Sequence, residues 1–303
     1  MYILGISCYY HDSAACIIKD GKIIAAAEEE RFTRKKHDNG FPRHAIAFCL
    51  EFAGISSTGL DAICFYEKPF LKFHRILHQH LHMAPFSYAT FARFFPSWTK
   101  NKLRVEQTIR DELKYKGKLY FVEHHQAHAA SSFFPSPFKE AAVVTLDGVG
   151  EWATTTYGVG KGNSFTMLAE IYFPHSIGLL FSTITAYLGF TVNNSEYKVM
   201  GLAPYGTMDA TKNPYYSRLR KVIDIKDDGS FKLDMDYFDF HYKPWMPNTK
   251  LCALLGGPIR QKDEPLTARH NDIAAAVQLL TEEVLLKILN HVWQETKAEH
   301  LCL

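Results

Sequence analysis

Two histidines four residues apart carry the strongest chemical signal in the sequence. They are His124 and His128, within VEHHQAHAASSFF at 122 to 134. On a helix such a pair shares one face and could clasp one metal ion, while His125 would point elsewhere. Two imidazoles make an incomplete site, so a carboxylate must come from another part of the chain, and we expect it to be Asp147. The alternative is a helix that merely happens to be rich in histidine.

The second signal is DGVGE at 147 to 151, which begins with that same aspartate. Gly148 and Gly150 would let the backbone approach a phosphate closely and would leave the Asp147 carboxylate free to face a metal. A common tight hairpin would use the same residues, so this run alone has two interpretations.

A polar loop near the N-terminus, YYHDS, lies in the same setting between apolar runs. There His11, Asp12 and Ser13 offer a donor, a carboxylate and a hydroxyl. Two such loops at one point would bind nucleotide phosphates through backbone N–H groups, so the pair favours a phosphate site more than either loop alone.

The third signal is YKVMGLAPYG at 197 to 206, which predicts a turn-rich loop with Gly201 among its turn residues. Lys198 would be available for a phosphate, and Tyr205 for stacking or hydrogen bonding. A plain connection between elements is the alternative, and composition alone favours it.

A basic run, EEERFTRKKHDNGFP at 28 to 42, follows an acidic strand end and includes Lys36 and His37. Such a run is usually a solvated face of the molecule. Next to a phosphate loop it could instead reach into the cleft as an anion clamp.

The elements that must position these residues begin with three predicted strands at 2 to 7, 14 to 20 and 22 to 30, with Asp20-Gly21 as a hairpin turn. The same design returns at 141 to 173 as a weak internal duplication. We expect two similar sheets related by an approximate twofold, with their first loops meeting at one cleft.

Helical spacing predicts a helix at 42 to 54, ended by Gly54, and another at 174 to 190. The aromatic and His-rich segment from 65 to 105 is predicted to be a helical insertion. Three prolines are expected to break it into short pieces: Pro69, Pro85 and Pro96.

The last third of the chain is predicted to be irregular from 207 to 270, with one short hairpin around Asp228-Gly229. A long helix should follow, with Asn271 as its N-cap and an apolar stripe along one face. An apolar run after that helix, HLCL, looks like the start of a buried strand, so we expect a truncated domain.

The composition argues against some classes of function and partner. The 303 residues carry a net charge of +2, far from the basic bias that nucleic acid binding favours, so nucleic acid is not expected as a partner. Six scattered cysteines without CxxC spacing fit a reduced, cytoplasmic setting. The sequence gives no sign of a signal peptide or a membrane anchor.

Five motifs, in order and over nearly the whole chain, resemble the carbamoyltransferase family of nodulation proteins and antibiotic O-carbamoylation enzymes. They are LGISCYYHDSAA, EEERFTRKKHDNGFP, EHHQAHAASSFFPSPF, LDGVGEWAT and NNSEYKVMGLAPYG. The resemblance implies an α/β fold of the duplicated actin, sugar-kinase and heat-shock ATPase type, which is ribonuclease H-like, with its second half incomplete. We expect a first lobe at 1 to 140, containing the insertion and the HxxxH helix, and a second lobe at 141 to 303.

The resemblance also implies a chemistry. Carbamoyl phosphate and ATP would give carbamoyl-adenylate, and the carbamoyl group would pass to a hydroxyl of a sugar or antibiotic-like acceptor. Fe(II) is the metal that the family suggests, another divalent ion is the alternative, and Mg²⁺ could accompany ATP. An adenylate-forming C-terminal domain would be missing from this chain, which alone should not perform the full reaction.

By position, His124 and His128 match the family's metal-binding histidines, and Asp147 matches the acid of its DGxG loop. Three further residues match positions to which we assign catalytic roles: His11, Asp12 and Lys36. Donors around His11 would stabilise charge on the carbamoyl oxygen. The residues expected to bind nucleotide are Ser13, Gly148, Gly150, Lys198, Gly201 and Tyr205.

Three other functions compete with carbamoyl transfer. They are an ATPase or sugar kinase of the same fold, a tRNA threonylcarbamoyl transferase, and a non-catalytic interaction module. A kinase would not need an HxxxH pair, and the near-neutral charge argues against a tRNA substrate.

Overall fold

The computed structural model describes residues 1 to 303, which divide by their contacts into two compact units. The first unit consists of Met1–His78 and Phe91–Ala127, and the second of Gln79–Thr90 and His128–Leu303. Each unit contains one main sheet with its own hydrophobic core.

The sheet of the first unit has five strands in the order β3-β2-β1-β4-β5. Strands β1 (Tyr2–Ser7), β2 (Ala14–Lys19) and β3 (Lys22–Glu28) form an antiparallel meander. Strands β4 (Ala62–Phe65) and β5 (Lys118–Phe121) extend it in parallel beyond β1. The first predicted meander is therefore confirmed.

The turn between β2 and β3 is the predicted one. Asp20 and Gly21 have φ values of +48° and +79°, so both lie in the left-handed region that a two-residue hairpin turn requires. A β-carbon at Gly21 would meet nothing, so it is the backbone conformation and not space that favours glycine there.

Five helices accompany this sheet in the sequence, and their bounds are α1 (Glu30–Thr33), α2 (Arg43–Ala53), α3 (Pro69–His82), α4 (Tyr88–Lys100) and α5 (Val105–Leu113). The predicted helix at 42 to 54 is α2, and it ends at Gly54 in the left-handed conformation. The insertion is helical, as predicted. The expected break at Pro96 is wrong, since Pro96 lies inside α4 on its exposed side, where water can solvate the carbonyl that loses its partner.

The sheet of the second unit has four strands in the order β11-β6-β7-β8. Strands β6 (Glu140–Leu146), β7 (Ala153–Lys161) and β8 (Ser164–Tyr172) form the second antiparallel meander, and β11 (Leu301–Cys302) pairs in parallel with β6. Both sheets thus repeat one design, a meander extended in parallel beside its first strand. The predicted α/β class, the duplication and the strand at the end of the chain are confirmed.

The remaining elements follow in chain order: α6 (His124–Phe133), α7 (Ile177–Tyr187), α8 (Glu196–Leu202), α9 (Tyr216–Leu219), β9 (Ile223–Ile225), β10 (Phe231–Leu233), α10 (Thr249–Leu254) and α11 (Ala268–Thr296). The hairpin predicted around Asp228-Gly229 is formed by β9 and β10. None of the helices combines the length and the apolar sequence that a membrane-spanning helix requires.

Helix α11 begins earlier than predicted. Asn271 is not its N-cap; Thr267 is, because its side chain accepts from the backbone of His270 while the His270 side chain accepts from the Thr267 N–H in a capping box. The predicted apolar stripe is buried along the helix: Ile273, Val277, Leu280, Val284, Ile288 and Val292.

The predicted loop at 197 to 206 is also wrong, since α8 and a short 3₁₀ turn fill most of it. The reason lies in Glu196, whose carboxylate accepts hydrogen bonds from the backbone N–H groups of Asn193 and Ser195 at 2.9 and 3.2 Å. This carboxylate stabilises the helix start, and Val199 buries the inner face.

Candidate functional site

Both histidines of the HxxxH pair lie on helix α6. Its opposite face is apolar, with Ala129 and Phe133 packed in a cluster that includes Val143 of β6. Because α6 is anchored on that strand, its histidines are held close to the strand's carboxyl end. The separation of the chain into units falls within this helix, after Ala127.

Asp147 follows β6 directly and opens the loop that we call loop 2, residues 147 to 152. Its backbone N–H donates to the carbonyl of Thr154 at 2.9 Å, and its carboxylate accepts from the N–H of Gly148 at 2.7 Å. Gly150 is buried and donates to Ala153 at 2.9 Å. Short local bonds therefore fix the direction of the carboxylate.

The structure brings His124, His128 and Asp147 together. One ligand atom of each lies within 4.8 Å of the other two, and His125 is buried outside this group. Ligand distances of about 2 Å put two ligands of one ion up to about 4 Å apart, so the observed spread is of the right order. Two imidazoles and a carboxylate form a donor set that fits a divalent transition metal.

Helix α7 packs its first turn against loop 2. Ser176 caps the helix by accepting from Leu179 N at 3.0 Å, and its hydroxyl donates to the carbonyl of Asp147 at 3.1 Å. A β-carbon at Gly178 would lie 2.7 Å from that same carbonyl oxygen, so only glycine allows this approach. Neither Ser176 nor Gly178 is predicted from the sequence, although a serine before an apolar helical run is a capping signal.

Gly148 differs from Gly178 in what the fold demands. Its φ lies outside the left-handed region, and a β-carbon there would stand 3.7 Å from Leu179, which is ordinary contact. The packing of the chain therefore does not require glycine at this position.

Loop 1, residues 8 to 13, connects β1 and β2. The Asp12 carboxylate pairs with Nδ1 of His11 through one oxygen and with Nδ1 of His37 at 3.1 Å through the other. Partial burial acts to raise the pKa of Asp12, but the hydrogen bonds and charges of the two imidazoles outweigh it and hold the pKa below its ordinary value.

Hydrogen bonds connect the basic run to loop 1. Ser13 is buried and its hydroxyl donates to the carbonyl of Asp38 at 2.9 Å. The N–H of Tyr9 donates to Asn39 O at 2.9 Å, and the Asn39 amide donates to Tyr10 O at 3.0 Å. The run therefore lies next to this loop, which was the condition for an anion clamp, and Lys36 is exposed within it.

A second group of potential ligand atoms within 4.8 Å of one another belongs to Asp12, Glu30 and His37. Hydrogen bonds account for the short distances within this group, since His37 contacts Asp12 through its ring and its N–H donates to the Glu30 carboxylate at 3.0 Å.

A charged cluster under loop 1 was not foreseen from the sequence. Glu67 and Lys72 are buried and paired at 2.5 Å, and the ammonium of Lys72 lies 5.0 Å from the ring centre of Tyr10. The Lys102 ammonium lies 5.9 Å from the same ring, and burial, followed by the charge of Lys72, lowers the pKa of Lys102. The insertion thus supplies cations to the base of loop 1.

The three residues predicted in the third motif lie on the helical segment at 196 to 205. Lys198 and Tyr205 are exposed, and Gly201 lies in α8 with open space around its α-carbon. Nucleotide binding by these three residues stays a prediction.

Sequence relatives cover the chain almost completely. An uncharacterised protein of Synechocystis is 49% identical over 100% of this chain and 50% of its own length. The nodulation protein NolNO of Sinorhizobium fredii is 32% identical over 97% of this chain and 40% of its own length. The chain thus spans about half the length, or less, of these relatives.

Solved structures give weak matches. YeaZ of Pseudomonas aeruginosa is 13% identical, covering 57% of this chain and 66% of its own, with a TM-score of 0.32. Component A of the Acidaminococcus fermentans (R)-2-hydroxyglutaryl-CoA dehydratase is 13% identical, covering 99% and 91%, with a TM-score of 0.37. Scores this low carry no argument, so the fold is established by the topology of the two sheets.

The pattern of one protein family matches the chain over residues 2–303, and that family is described as the carbamoyltransferase N-terminus. The match includes all five motifs, the group at His124, His128 and Asp147, and both loops. The chain belongs to the carbamoyltransferase N-terminus family.

Proposed function

We propose that the chain is the carbamoyl-transferring part of an O-carbamoyltransferase, which moves a carbamoyl group from carbamoyl-adenylate to a hydroxyl of a sugar or antibiotic-like acceptor. Family membership supports the transfer chemistry. The observation that carries the proposal is the convergence of His124, His128 and Asp147 beside loop 2.

The metal in this proposal is Fe(II) or another divalent ion, held by those two imidazoles and the carboxylate. Such an ion supplies Lewis-acid chemistry, polarising a phosphate or carbonyl oxygen. The chain's own part is to orient the ligands: α6 fixes the imidazoles, and the Gly148 N–H fixes one oxygen of Asp147.

The phosphate of the adenylate would lie on loop 2. Gly148 supports this because the fold does not require glycine there, whereas close approach of a ligand would. Loop 2 also packs against the first turn of α7, a helix of 11 residues, whose N-terminal end favours negative charge. Gly150, Lys198, Gly201 and Tyr205 complete the proposed nucleotide contacts, and Mg²⁺ would accompany ATP.

Loop 1 would take the reacting carbamoyl group. Asp12 orients His11, and exposed Lys36 offers a cation for charge that develops on the carbamoyl oxygen. Ser13 supports the loop from within, since its buried hydroxyl is bonded to Asp38.

The test uses the full-length protein with carbamoyl phosphate, ATP and a panel of sugars and aminoglycoside-like polyols. We expect an acceptor heavier by one carbamoyl group, together with AMP, pyrophosphate and the inorganic phosphate released from carbamoyl phosphate, by mass spectrometry. Formation of ADP and a phosphorylated acceptor would instead establish the sugar-kinase alternative. Release of ADP and phosphate without any modified acceptor would establish the ATPase.

A further inference from the structure

The two imidazoles on Asp12 make similar hydrogen bonds but differ at their far nitrogens. His11 and His37 each place Nδ1 against one oxygen of the carboxylate. An ionised carboxylate only accepts, so both Nδ1 atoms must donate, and Nε2 of each neutral ring is left as an acceptor. The depressed pKa of Asp12 agrees with an ionised carboxylate.

Access separates the two rings. The Nε2 atom of His37 is buried and meets no hydrogen-bond partner, so it cannot serve a substrate in this structure. The side chain of His11 is 48% exposed and packs on one side against Tyr10, with ring centres 4.6 Å apart. Chemistry with a substrate can therefore proceed at His11, while His37 can act only through Asp12.

His37 is held firmly enough to act in this way. Its backbone has φ +56°, and its N–H donates to Glu30 at 3.0 Å. The next two residues are those that bind loop 1, through Asp38 O and through the backbone and side chain of Asn39. Hydrogen bonds of these two neighbours thus hold the segment against loop 1, and the His37 ring contacts the Asp12 oxygen that His11 does not contact.

We propose that His37 is a positioning residue, which holds Asp12 so that Asp12 fixes His11 with Nδ1 protonated and Nε2 available as a proton acceptor. The inference rests on the proposed function and deepens it, and it replaces the donor expected at His11 with an acceptor. A base oriented by a carboxylate is a recurring arrangement in acyl transfer.

The proton balance of the step is simple. His11 Nε2 takes the hydroxyl proton of the acceptor as the acceptor oxygen bonds to the carbamoyl carbon. The bond from that carbon to the adenylate phosphate oxygen breaks, and AMP leaves with the electron pair. The proton on His11 then passes to solvent, which restores the neutral ring.

The test compares three variants of His37 in the full-length protein, with histidine labelled in nitrogen-15. His37→Asn keeps a donor where Nδ1 stood and tolerates the left-handed backbone, His37→Gln moves the donor outward to the place of Nε2, and His37→Ala removes it. We expect the imidazole nitrogen shifts of His11 to report the Nδ1–H tautomer in the parent and in His37→Asn. In His37→Gln and His37→Ala we expect a mixture of both tautomers.

A matched control comes from a second imidazole–carboxylate pair in the same unit. His44 Nδ1 lies 2.6 Å from Glu29 Oε1, and His44→Asn should leave the His11 tautomer unchanged. An unaltered tautomer in every His37 variant would overturn the inference. So would a mixture in His37→Asn, because that variant retains the hydrogen bond.

Kinetics give the second readout. For carbamoyl transfer, kcat should fall about tenfold to a hundredfold in His37→Gln, with KM for the acceptor changed less than about twofold, and His37→Asn should restore most of kcat. A rise in KM with unchanged kcat would assign His37 to binding and overturn the positioning role. If the parent transfers no carbamoyl group, the proposed function fails, while the nitrogen shifts still decide the role of His37.

Discussion

Loop 1 and loop 2 occupy the same place in two copies of one meander, yet the chain fixes them in different ways. Loop 1 is hydrogen-bonded to the segment at 37 to 39, through side chains as well as backbone. Loop 2 is pressed against the first turn of α7, where Gly178 allows backbone to touch backbone. The repeated frame therefore does not dictate how each loop is supported.

The difference in support separates the chemistry. Side-chain bonds in loop 1 orient an imidazole and a carboxylate, which are groups that move protons. Backbone packing in loop 2 holds the Asp147 carboxylate beside His124 and His128, a donor set that fits a metal. In the proposed function, loop 1 would therefore serve proton transfer and loop 2 would serve the metal.

The largest expected effect is on the proposed metal site of His124, His128 and Asp147. In the full-length protein, His128→Ala should reduce bound metal from one ion per chain to nearly none and lower carbamoyl transfer by about a hundredfold or more, because a two-ligand site holds an ion weakly. Elemental analysis and the transfer assay measure both. His82→Ala, an exposed histidine of the insertion, is the control and should change neither.

A smaller effect distinguishes the two glycines beside loop 2. Gly178→Ala should destabilise the protein by about 1–3 kcal/mol, since its β-carbon would collide with the Asp147 carbonyl. Gly148→Ala should change the free energy of unfolding by less than about 0.5 kcal/mol but weaken binding of an adenylate analogue. Urea unfolding and calorimetric titration measure the pair. Equal stability loss in both would remove the argument that Gly148 is there for a ligand.

The smallest effect concerns pH and loop 1. Because the pKa of Asp12 is depressed in the folded protein, its ionised form contributes stability that is present above the ordinary carboxyl pKa of about 4 and is lost as pH falls through the depressed value. Asp12 is about a third exposed, so the contribution is on the order of 0.5 kcal/mol. The stability difference between the parent and Asp12→Asn should shrink below about pH 4. A difference that stays constant from neutral pH to pH 3 would contradict the pairing.

Much of the frame could be predicted from the sequence, because local physics dictates it. Asp20-Gly21 demands a hairpin turn, alternating apolar residues mark the strands, and the spacing of His124 and His128 puts both on one face. The expectation that the two first loops face one cleft, and the division into lobes at residue 140, stay predictions.

The predictions that were wrong, and the contacts that were not predicted, have specific physical causes. The carboxylate of Glu196, in the first turn of α8, fixes the two residues before a helix in a segment whose glycines and proline predict a loop. The capping box of Thr267 with His270 starts α11 before Asn271. The pairing of Asp12 with His37 joins residues 25 positions apart and depends on a left-handed backbone at a histidine. No local pattern announces a contact of that kind.

The central claim is that loop 2 and α6 together hold the catalytic metal. Anomalous diffraction at the iron edge, from crystals of the full-length protein grown with Fe(II), tests it most directly. We expect one strong peak between the ring nitrogens of His124 and His128 and the Asp147 carboxylate, and no peak at Asp12, Glu30 and His37. A peak at that second group with none at the first, or tightly bound iron located elsewhere in the chain, would contradict the account.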